Sequence, residues 1–524
     1  MIEQNLKELL SDSSTFVIGA ELVTTRGIIM EEQGHKILEL ARALAEWDEV
    51  HFLDFTDNPG GNPMLLPESL GFDILSRGKN VLINFTCKDL NRNGLESRAW
   101  RLASDGFENL LAMSGDYPVG GFQGLAKPVF DIDSMGLLTL LQQMNQGMPV
   151  KKGSTTIQLK PTHFHLGGVV SPFKSNENEL LPQYFKLEKK ISNGLHFLIT
   201  QIGYDSRKFH ELLCYLQDKQ LSIPALANIY VLTPRIAQIF NHNEVPGVVV
   251  SDELMNLAQQ HAKSADKGKY FFQEMAAKQM AIARGLGYRG AYLGGVHKMD
   301  DYQKILGIFK SFGANDWKDF AREIQYSPHD SFFLYEKETV TGLNQPGVLN
   351  QRFLNTLPTT ARIRSRRHLG HLYKTSRKMH DFWFDPDSRG YKLLSRLYQR
   401  LEKKHPAVEK VVYEIEKASK VPLFDCRDCG DCSLPDIAYL CPESQCVKNQ
   451  RNGPCGGTHQ SRCELDNGKD CIWARAYDRL KAYHEERDFI ERPVIIKDNH
   501  LQGTSAWKNT FLKRDHYEKL KYKV

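Results

Sequence analysis

Short apolar runs alternate with longer amphipathic stretches through the first 300 residues of the chain. Each run is nearly continuous in apolar residues, and intervening stretches such as 31–47 and 94–107 repeat apolar residues at helical spacing. Strands of this kind are typical of a parallel sheet that is covered by helices on both faces. The runs are FVIGAEL (16–22), VHFLDFT (50–56), NVLINFT (80–86), NLLAMSGD (109–116), HFHLGGVV (163–170), HFLITQIG (196–203), IPALANIYVL (223–232) and GAYLGGV (290–296).

Eight strand–helix units within residues 1–300 predict an α/β fold of the (β/α)8 TIM-barrel type. A doubly wound sheet is the alternative. It is less favoured because no G-x-G-x-x-G follows the first strand, as it does in a dinucleotide-binding Rossmann unit. We therefore expect a barrel over residues 1–300.

Polar residues stand at the carboxyl ends of six predicted strands, which is where TIM barrels carry their chemistry. A single polar residue at such an end is usually a helix cap or a solvated edge. Six ends decorated together favour a site. The residues are Glu21, Thr56, Asn84, Thr86, Ser114, Gly115, Asp116, Ser171 and Gln201.

Eight of the ten cysteines lie between Cys426 and Cys471. Disulfide frameworks are typical of small secreted domains, and the first residues, MIEQNLKELLSDSS, lack the basic and apolar regions of a secretory signal. We therefore expect reduced thiols that bind metal. The C-x2-C-x2-C spacing of Cys426, Cys429 and Cys432 favours an iron–sulfur cube, with Cys441 as the nearest fourth ligand.

The remaining thiols of this region make a second set of four: Cys446, Cys455, Cys463 and Cys471. Structural zinc is the alternative in both sets, because a tetrahedral four-cysteine zinc site also accepts C-x2-C pairs. The sequence favours a 4Fe–4S cluster in the first set and leaves iron–sulfur and zinc equal in the second.

The rest of the chain divides by pattern into three further segments. Residues 301–420 are predicted to form a helical connector, with pieces such as DDYQKILGIFKSFG and SFFLYEKETVTGLNQPG and two amphipathic helices over 391–420, divided near a His-Pro pair. Its stretch 362–378 holds seven Arg or Lys and no acidic residue, which is typical of a solvated or partner-binding face. A cysteine-rich metal-binding module over 421–482 and a polar tail over 483–524 follow.

Composition sets outer limits on the function. The net charge of +5 is too small for a chain of 524 residues to indicate nucleic-acid binding. No apolar run approaches the roughly 20 residues that a membrane span needs. We expect a cytoplasmic protein of several domains, forming a homo-oligomer.

Four segments of the barrel half resemble the methylenetetrahydrofolate reductase family. They are AELVTTRG (20–27), NFTCKDLNRNGLES (84–97), NLLAMSGDYP (109–118) and FLITQIGYDSRKF (197–209). Residues from about 360 to 482 resemble the cysteine-rich module of the MetV type that accompanies such MetF-like reductases in some bacteria. The segments that carry this second resemblance are LFDCRDCGDC (423–432), YLCPESQC (439–446), NQRNGPCGG (449–457) and CIWARAYDRLK (471–481).

The resemblance implies FAD in the barrel and hydride transfer between 5,10-methylenetetrahydrofolate and 5-methyltetrahydrofolate. It implies that Asp116 contacts the pterin and tunes the flavin, that Gln201 binds the pterin edge, and that Lys189 and Lys190 contact the flavin diphosphate. A solvated helix face is the alternative for the two lysines. The flavin ring and ribityl chain would be lined by Thr56, Asn84, Thr86, Ser114, Gly115 and Ser171.

Glu21 is the candidate acid for this reaction. The substrate ring opens to an iminium only when N10 gains a proton, so a carboxylic acid must lie within hydrogen-bond reach. A buried glutamate with a raised pKa holds such a proton near neutral pH. The alternative is a glutamate that is merely paired with Arg26.

The cysteine module implies an electron relay toward the flavin, because iron–sulfur clusters pass electrons singly. The outside carrier would be NAD(P)H, ferredoxin or a partner flavoprotein. This chain has Asn84, Ser114 and Ser171 where the family has histidine, arginine and tyrosine at flavin contacts. The alternative function is therefore a folate-binding barrel without redox chemistry, methyltransferase-like or non-catalytic, beside a structural zinc module.

Overall fold

The computed structural model describes residues 4–356 and 370–521. The chain falls into two compact units, Met1–Asn355 with Gly456–Gln460 and Thr356–Cys455 with Ser461–Val524. The division into barrel, connector, module and tail is finer than these two units and stays a prediction. Residues 362–369 of the basic run lie outside the described residues.

A closed barrel of eight parallel strands forms the centre of the first unit. All eight predicted apolar runs supply barrel strands, so the (β/α)8 prediction is confirmed and the doubly wound alternative was wrong. In chain order the strands of this part are β1 Val17–Leu22, β2 Phe52–Phe55, β3 Asn80–Thr86, β4 Asn109–Met113, β5 Pro149–Lys152, β6 Thr155–Gln158, β7 His165–Val170, β8 Phe197–Thr200, β9 Ala225–Tyr230 and β10 Gly290–Gly294. The spatial order is β1-β10-β9-β8-β7-β4-β3-β2, and β5 and β6 form a separate antiparallel hairpin.

Helices connect the strands as the amphipathic stretches predict. The stretch at 31–47 forms α2, and the stretch at 94–107 lies largely in α4. The helices of the first unit are α1 Leu6–Ser11, α2 Glu32–Ala45, α3 Pro67–Ser76, α4 Arg92–Ser104, α5 Ser134–Gln146, α6 Glu177–Ser192, α7 Ser206–Asp218, α8 Pro234–Asn241, α9 Asp252–His261, α10 Lys269–Leu286, α11 Met299–Ser311, α12 Trp317–Glu323 and α13 Gln351–Thr356, the last of which ends at the boundary between the units.

Helix α1 packs into the core at the amino-terminal end of the barrel. Its Leu6, Leu9 and Leu10 join the buried cluster of inward-facing strand residues. Asn80, the first residue of β3, accepts a hydrogen bond from the Leu6 backbone N–H over 3.0 Å and so fixes the start of the helix. With this end filled, chemistry is left to the carboxyl ends of the strands.

Two glycines in the strands make room for phenylalanine rings inside the barrel. A Cβ added at Gly19 would lie 2.1 Å from the ring of Phe52, and one added at Gly167 would lie 2.3 Å from the ring of Phe197. Both distances are far below van der Waals contact. The packing of the two phenylalanine rings inside the barrel therefore depends on the absence of side chains at these two positions.

One part of the connector was predicted wrongly. The segment SFFLYEKETVTGLNQPG (331–347), expected to be helical, supplies β11 Tyr335–Lys337 and the start of β12 Asn344–Leu349, which pair antiparallel. Residues 338–343 form the turn between the two strands, where Gly342 adopts a φ of 73°. The apolar positions that suggested helical spacing belong to a hairpin.

The second unit is mostly helical. Its two amphipathic helices over 391–420 are confirmed, and they meet at His405 as predicted. The elements are α14 His371–Trp383, α15 Arg389–Lys404, α16 Pro406–Phe424, α17 Pro442–Gln445, β13 Arg462–Cys463, β14 Asp466–Asp470, α18 Ile472–Lys481, α19 Asp488–Glu491, α20 Ala506–Phe511 and α21 His516–Lys521. In the described ranges, short 3-10 turns lie at Pro59–Gly61 in the first unit and at Pro435–Ile437 and Asn499–Leu501 in the second.

The carboxyl-terminal segment is anchored to the cysteine region inside this unit. His516 is buried, and its Nδ1 lies 2.6 Å from an oxygen of Asp431. Burial opposes the charge of the ring, but hydrogen bonds to Asp431 and Asp436 raise the pKa of His516 to about 10. The charged imidazolium therefore joins two buried carboxylates and holds residues 506–518 in place.

No helix within the described residues is both long enough and apolar enough to cross a membrane.

Candidate functional site

Two acidic side chains stand side by side in the barrel. Glu21 of β1 is in register with Asp54 of the neighbouring strand β2. Asp54 has no exposed surface, whereas Glu21 is partly exposed. A Cβ added at Gly294 of β10 would lie 3.2 Å from Oε1 of Glu21, so a side chain there would crowd this carboxyl group. The pair therefore lies on β1 and β2, and the glycine of the neighbouring strand β10 leaves space beside it.

A tyrosine joins the two carboxyl groups. Tyr292 of β10 is buried, and its hydroxyl donates to Oδ2 of Asp54 over 2.5 Å. The same hydroxyl interacts with Glu21. Asn84 of β3 donates its Nδ2 to the same Asp54 oxygen over 3.0 Å. Four adjacent strands, β10, β1, β2 and β3, thus contribute to one hydrogen-bonded cluster.

Burial decides the protonation of this cluster. It raises the pKa of the Glu21 carboxyl, although the hydrogen bond with Tyr292 offsets part of the rise. It raises the pKa of Asp54 well above 3.8, and the nearby charge of Glu21 adds to the rise. Two carboxyl groups that share one phenol inside the barrel resist double ionisation, because a second negative charge beside the first is unfavourable. The pair therefore keeps a proton at a higher pH than separate, solvated carboxyl groups would.

Six buried polar atoms near the carboxyl ends of the barrel strands lack a hydrogen-bond partner within the described part of the chain. A buried polar atom without a partner destabilises the fold by about 1–3 kcal/mol. Several such atoms in one region therefore indicate a polar ligand. The atoms are Oγ1 of Thr24, Oδ1 of Asp54, Oγ1 of Thr56, Oδ1 of Asn84, Oγ of Ser171 and Oδ1 of Asn228.

Thr86 is held by a carboxylate. Its hydroxyl donates to Oδ2 of Asp57 over 2.8 Å, and its backbone N–H donates to the same oxygen over 3.2 Å. Arg98 completes this buried group, with Nη1 3.0 Å from Asp57 Oδ2 and a second contact to Glu68. Because its hydroxyl proton is engaged, Thr86 offers a ligand mainly its hydroxyl oxygen and its methyl group.

The Gly-Asp motif packs between two strand ends. Gly115 has a φ of 83°, and a Cβ there would lie 2.9 Å from Cβ of Thr86, so both the backbone and the neighbour require glycine. Asp116 accepts a hydrogen bond from the Gly60 N–H over 2.8 Å and is half-buried. Ser114 is buried beside them. The motif therefore links the loops after β2 and β4 at the barrel mouth.

The other predicted residues lie on the opposite side of the barrel. Gln201 follows β8, is half-buried, and accepts from the Ile202 N–H through Oε1 over 2.9 Å. Lys189 and Lys190 of α6 are both buried, so the solvated-face alternative was wrong. Lys190 donates to the carbonyl of Val169 over 2.7 Å, and burial lowers its pKa to about 7. Their contact with a diphosphate stays a prediction.

Three side chains of this site were not predicted from the sequence. Asp54, Asn228 and Tyr292 lie inside strands, whereas the predicted site residues were those at strand ends. A signal was present in the sequence. An aspartate within FLDF and an asparagine within ALANIY interrupt runs that are otherwise apolar or aromatic, and a buried polar group of this kind needs a stated partner.

The first four cysteines gather around one small cavity of the second unit. Cys426, Cys429, Cys432 and Cys441 all line it. Burial raises the pKa of the Cys432 thiol to about 12, and the neighbouring thiols of Cys429 and Cys441 add to the rise. The backbone N–H of Asp428 donates to Sγ of Cys426 over 3.4 Å. These are the four residues that the spacing predicts as one set.

The other four thiols form the second group. Burial raises the pKa of Cys446 to about 12, and the thiols of Cys455 and Cys463 contribute. Cys471, at the start of α18, has Cys455 and Cys446 as neighbours and receives backbone N–H groups of the helix. Gln450 donates its N–H to Sγ of Cys446 over 3.4 Å.

All ten cysteines carry free thiols, as expected of a metal-binding rather than a disulfide module. Within the described ranges, no group of three or more His, Cys, Asp or Glu side chains is close enough to hold one metal ion. The structure thus brings the eight thiols together in two groups, and their role as metal ligands stays a prediction.

Asp54→Asn is expected to stabilise the barrel at neutral pH. The folded chain binds the Asp54 proton more tightly than the unfolded chain, so this group favours folding less as the pH rises above the unfolded pKa of about 3.8. The amide removes that penalty, and we expect the free energy of unfolding at pH 7 to rise by roughly 1–3 kcal/mol. The gain should vanish near pH 3. Urea unfolding at both pH values measures it.

Asp73→Asn is the matched control for that experiment. A hydrogen bond from Arg42 lowers the pKa of Asp73 to about 2, and the ion pair is partly exposed. Its loss should destabilise the chain at pH 7 by less than about 1 kcal/mol. If Asp54→Asn also destabilised the chain at pH 7, the carboxyl would be ionised and paired rather than protonated.

The sequence models of two protein families match this chain. The sequence model of the family described as methylenetetrahydrofolate reductase matches residues 8–285, and that of its C-terminal family, described as methylene-tetrahydrofolate reductase C terminal, matches residues 405–500. No curated protein sequence matches the chain.

Solved structures with a similar backbone are distant in sequence. One is an uncharacterized protein from Clostridium thermocellum that binds two copies of 5-methyl-5,6,7,8-tetrahydrofolic acid; it is 13% identical, with 58% of this chain and 97% of that chain covered and a TM-score of 0.41. Another is EDTA monooxygenase from Chelativorans sp. BNC1, 10% identical, with 60% and 98% covered and a TM-score of 0.35. These similarities are too low to bear on function. The match over residues 8–285 spans more than half of the chain, which therefore belongs to the methylenetetrahydrofolate reductase family.

Proposed function

We propose that this chain is a flavin-dependent methylenetetrahydrofolate reductase whose cysteine-rich unit passes electrons through iron–sulfur clusters. The observation that carries the proposal is the cluster of Glu21, Asp54, Tyr292 and Asn84 within a ring of buried polar atoms that lack partners in the described chain. An acid with a raised pKa beside unsatisfied donors and acceptors is the arrangement that protonation of a bound pterin needs.

The barrel residues fit a flavin. The unpartnered atoms of Thr56, Asn84 and Ser171 belong to three of the residues that the family resemblance assigns to the flavin. A flavin bound at this place supplies the hydride, and the protein supplies contacts to its ring and chain.

Glu21 would hold the proton that opens the folate ring. Burial raises its pKa, so the carboxyl keeps its proton at a higher pH than a solvated glutamate does. A proton donated to N10 would convert the aminal to the iminium that accepts hydride. Tyr292 lies between Glu21 and Asp54 and can return a proton to Glu21 from Asp54 without contact with the folate. Asp116 and Gln201 would orient the pterin.

The spacing of the thiols favours iron–sulfur over zinc in the first set. Cys426, Cys429 and Cys432 follow one another as C-x2-C-x2-C, which suits the separate irons of one cluster. These three line one cavity together with Cys441, so the four thiols can serve one centre.

A visible spectrum and a metal analysis of the purified chain test this function. We expect flavin bands at about 450 nm. They should bleach when a reductant of the flavin is added and return when 5,10-methylenetetrahydrofolate is added. Broad absorbance that dithionite removes, with iron and sulfide in the analysis, is expected from the cysteine unit. A colourless preparation that contains only zinc would contradict the proposal and favour the pterin-binding alternative.

A further inference from the structure

The second unit contains a cavity of about 820 Å³ that none of the roles described above uses. Helices α14 and α16, the chain around Cys432 and the carboxyl-terminal residues 506–518 form its walls. Its lining is mostly apolar. Both the size and the lining are typical of sites for small molecules and cofactors, which measure roughly 300–1,000 Å³.

Aromatic rings cover one wall of this cavity. His380 and Phe384 lie nearly parallel, with ring centroids 6.1 Å apart. Tyr439 stands 6.1 Å from His380, and Trp507 stands 6.2 Å from Phe384. Burial lowers the pKa of His380, so its ring is neutral. Tyr439 is inclined by 65° to His380, and Trp507 by 54° to Phe384. Neutral rings at such angles suit an aromatic ligand, which they can contact through both faces and edges.

The cavity opens to solvent past exposed apolar side chains. Met379 is 56% exposed and Leu423 is 51% exposed, although both line the cavity. Large apolar side chains around an open pocket are typical of a surface that a ligand covers. Hydroxyl groups available to the polar edge of such a ligand come from Thr375, Ser376, Ser419 and Thr510.

The cavity shares a wall with the first cysteine set. Lys420, Cys432, Leu434 and Ala506 line both this cavity and the small one that the four cysteines surround. Nζ of Lys420 lies 3.5 Å from Sγ of Cys432 and 3.0 Å from Oε1 of Glu416. A ligand in the large cavity therefore lies directly beside the proposed cluster, close enough for electron transfer.

The charges at the cavity do not favour an anionic ligand. Lys420 and Lys513 are matched by Asp515 and Glu518 in the lining. The part of a ligand recognised here is therefore neutral, and a charged tail belongs at the open side. We propose that this cavity binds the isoalloxazine ring of a second flavin, which exchanges electrons with the first cysteine set. The electron exchange rests on the proposed function, whereas the binding does not.

Flavin counting on the whole protein tests this proposal. The purified chain is equilibrated with excess FMN or FAD and desalted, and the flavin released by acid is measured per chain. We expect two flavins. Ser376→Trp on α14 fills the cavity without removing a core side chain, and it should reduce the count by one and leave the iron content unchanged. Lys378→Trp, an exposed position on the same helix, is the control and should keep both flavins.

The counts separate this proposal from the proposed function. If the unaltered chain binds one flavin and Ser376→Trp still binds it, the second site is overturned and the barrel flavin stands. If the unaltered chain binds one flavin and Ser376→Trp binds none, the second site is supported and a flavin in the barrel is contradicted. If the unaltered chain binds no flavin, both are contradicted.

Discussion

Glu21→Gln is expected to abolish folate-dependent reoxidation of the flavin while the flavin stays bound. The glutamine keeps the size and the hydrogen-bonding shape of the side chain but has no acidic proton to give to N10. Proton transfer by a positioned acid contributes roughly 10²–10⁴-fold, so the rate of reoxidation by 5,10-methylenetetrahydrofolate should fall by that factor. Anaerobic mixing of the reduced protein with the folate, followed at the flavin bands, measures the rate.

The control for this experiment is Glu39→Gln. Glu39 is an exposed glutamate of α2, so the same change of charge is made on the outside of the barrel. Its reoxidation rate should equal that of the unaltered chain. If Glu21→Gln reacted as fast as the control, Glu21 would not be the acid, and Asp54 would be the carboxyl group to examine next.

The pH dependence of the same step follows from the sign of the shift. Burial raises the pKa of Glu21, so the acid form is the one that persists as the pH rises toward neutrality. The rate should be constant at low pH and fall once the pH passes the raised pKa. In Asp54→Asn the second titrating carboxyl beside Glu21 is lost, and the amide can still accept from Tyr292. That variant should therefore react, with a changed pH profile.

The barrel could be predicted from the sequence because its strands are buried on both faces. Continuous apolar runs such as NVLINFT, spaced by amphipathic helices, admit few folds, and each run became a barrel strand. The hairpin that contains Tyr335 was missed because a short stretch with mixed polarity fits helix and strand equally well. Three-dimensional pairing of Tyr335 with Leu349 decides it.

The candidate site could be predicted only in part. Residues after strands, such as Glu21 at the end of its run, are visible in a linear pattern, whereas the partnership of Asp54 with Tyr292 joins positions 238 residues apart. No local rule reports such a contact. The cavity of the second unit also cannot be read from a linear pattern, because its lining residues come from four separate stretches of the chain.

The grouping of the thiols could be predicted from the sequence, but the contacts around them could not. Spacing predicts that Cys426, Cys429 and Cys432 stay together, since two intervening residues keep each pair within reach of one centre. The assignment of Cys441 rested on proximity in sequence, and the structure groups it with these three. What spacing does not report is the surrounding support, such as the hydrogen bond from Asn509 Nδ2 to the Gly430 carbonyl over 2.8 Å.

Cys429→Ser is expected to remove metal from the first set and to destabilise the second unit. A serine hydroxyl does not replace a thiolate ligand to iron, and metal binding in small cysteine modules is coupled to folding on the order of 10 kcal/mol. The iron content should fall by about half if both sets hold clusters of the same kind, since one set of two is lost. Iron and sulfide analysis, together with thermal unfolding, measures both effects.

Two further variants test whether the loss of metal is specific to the first set. Cys446→Ser should empty the second set and leave the first, because the two groups of thiols are separate in the structure. Cys214→Ser changes a buried cysteine of the barrel unit and should leave the metal content unaltered. If Cys429→Ser retained all its metal, the first set would not be a metal site, and the electron path would have no first step. If Cys429→Ser lost the metal of both sets, the unit would fold only with both sites filled. The two sites of the relay would then depend on each other.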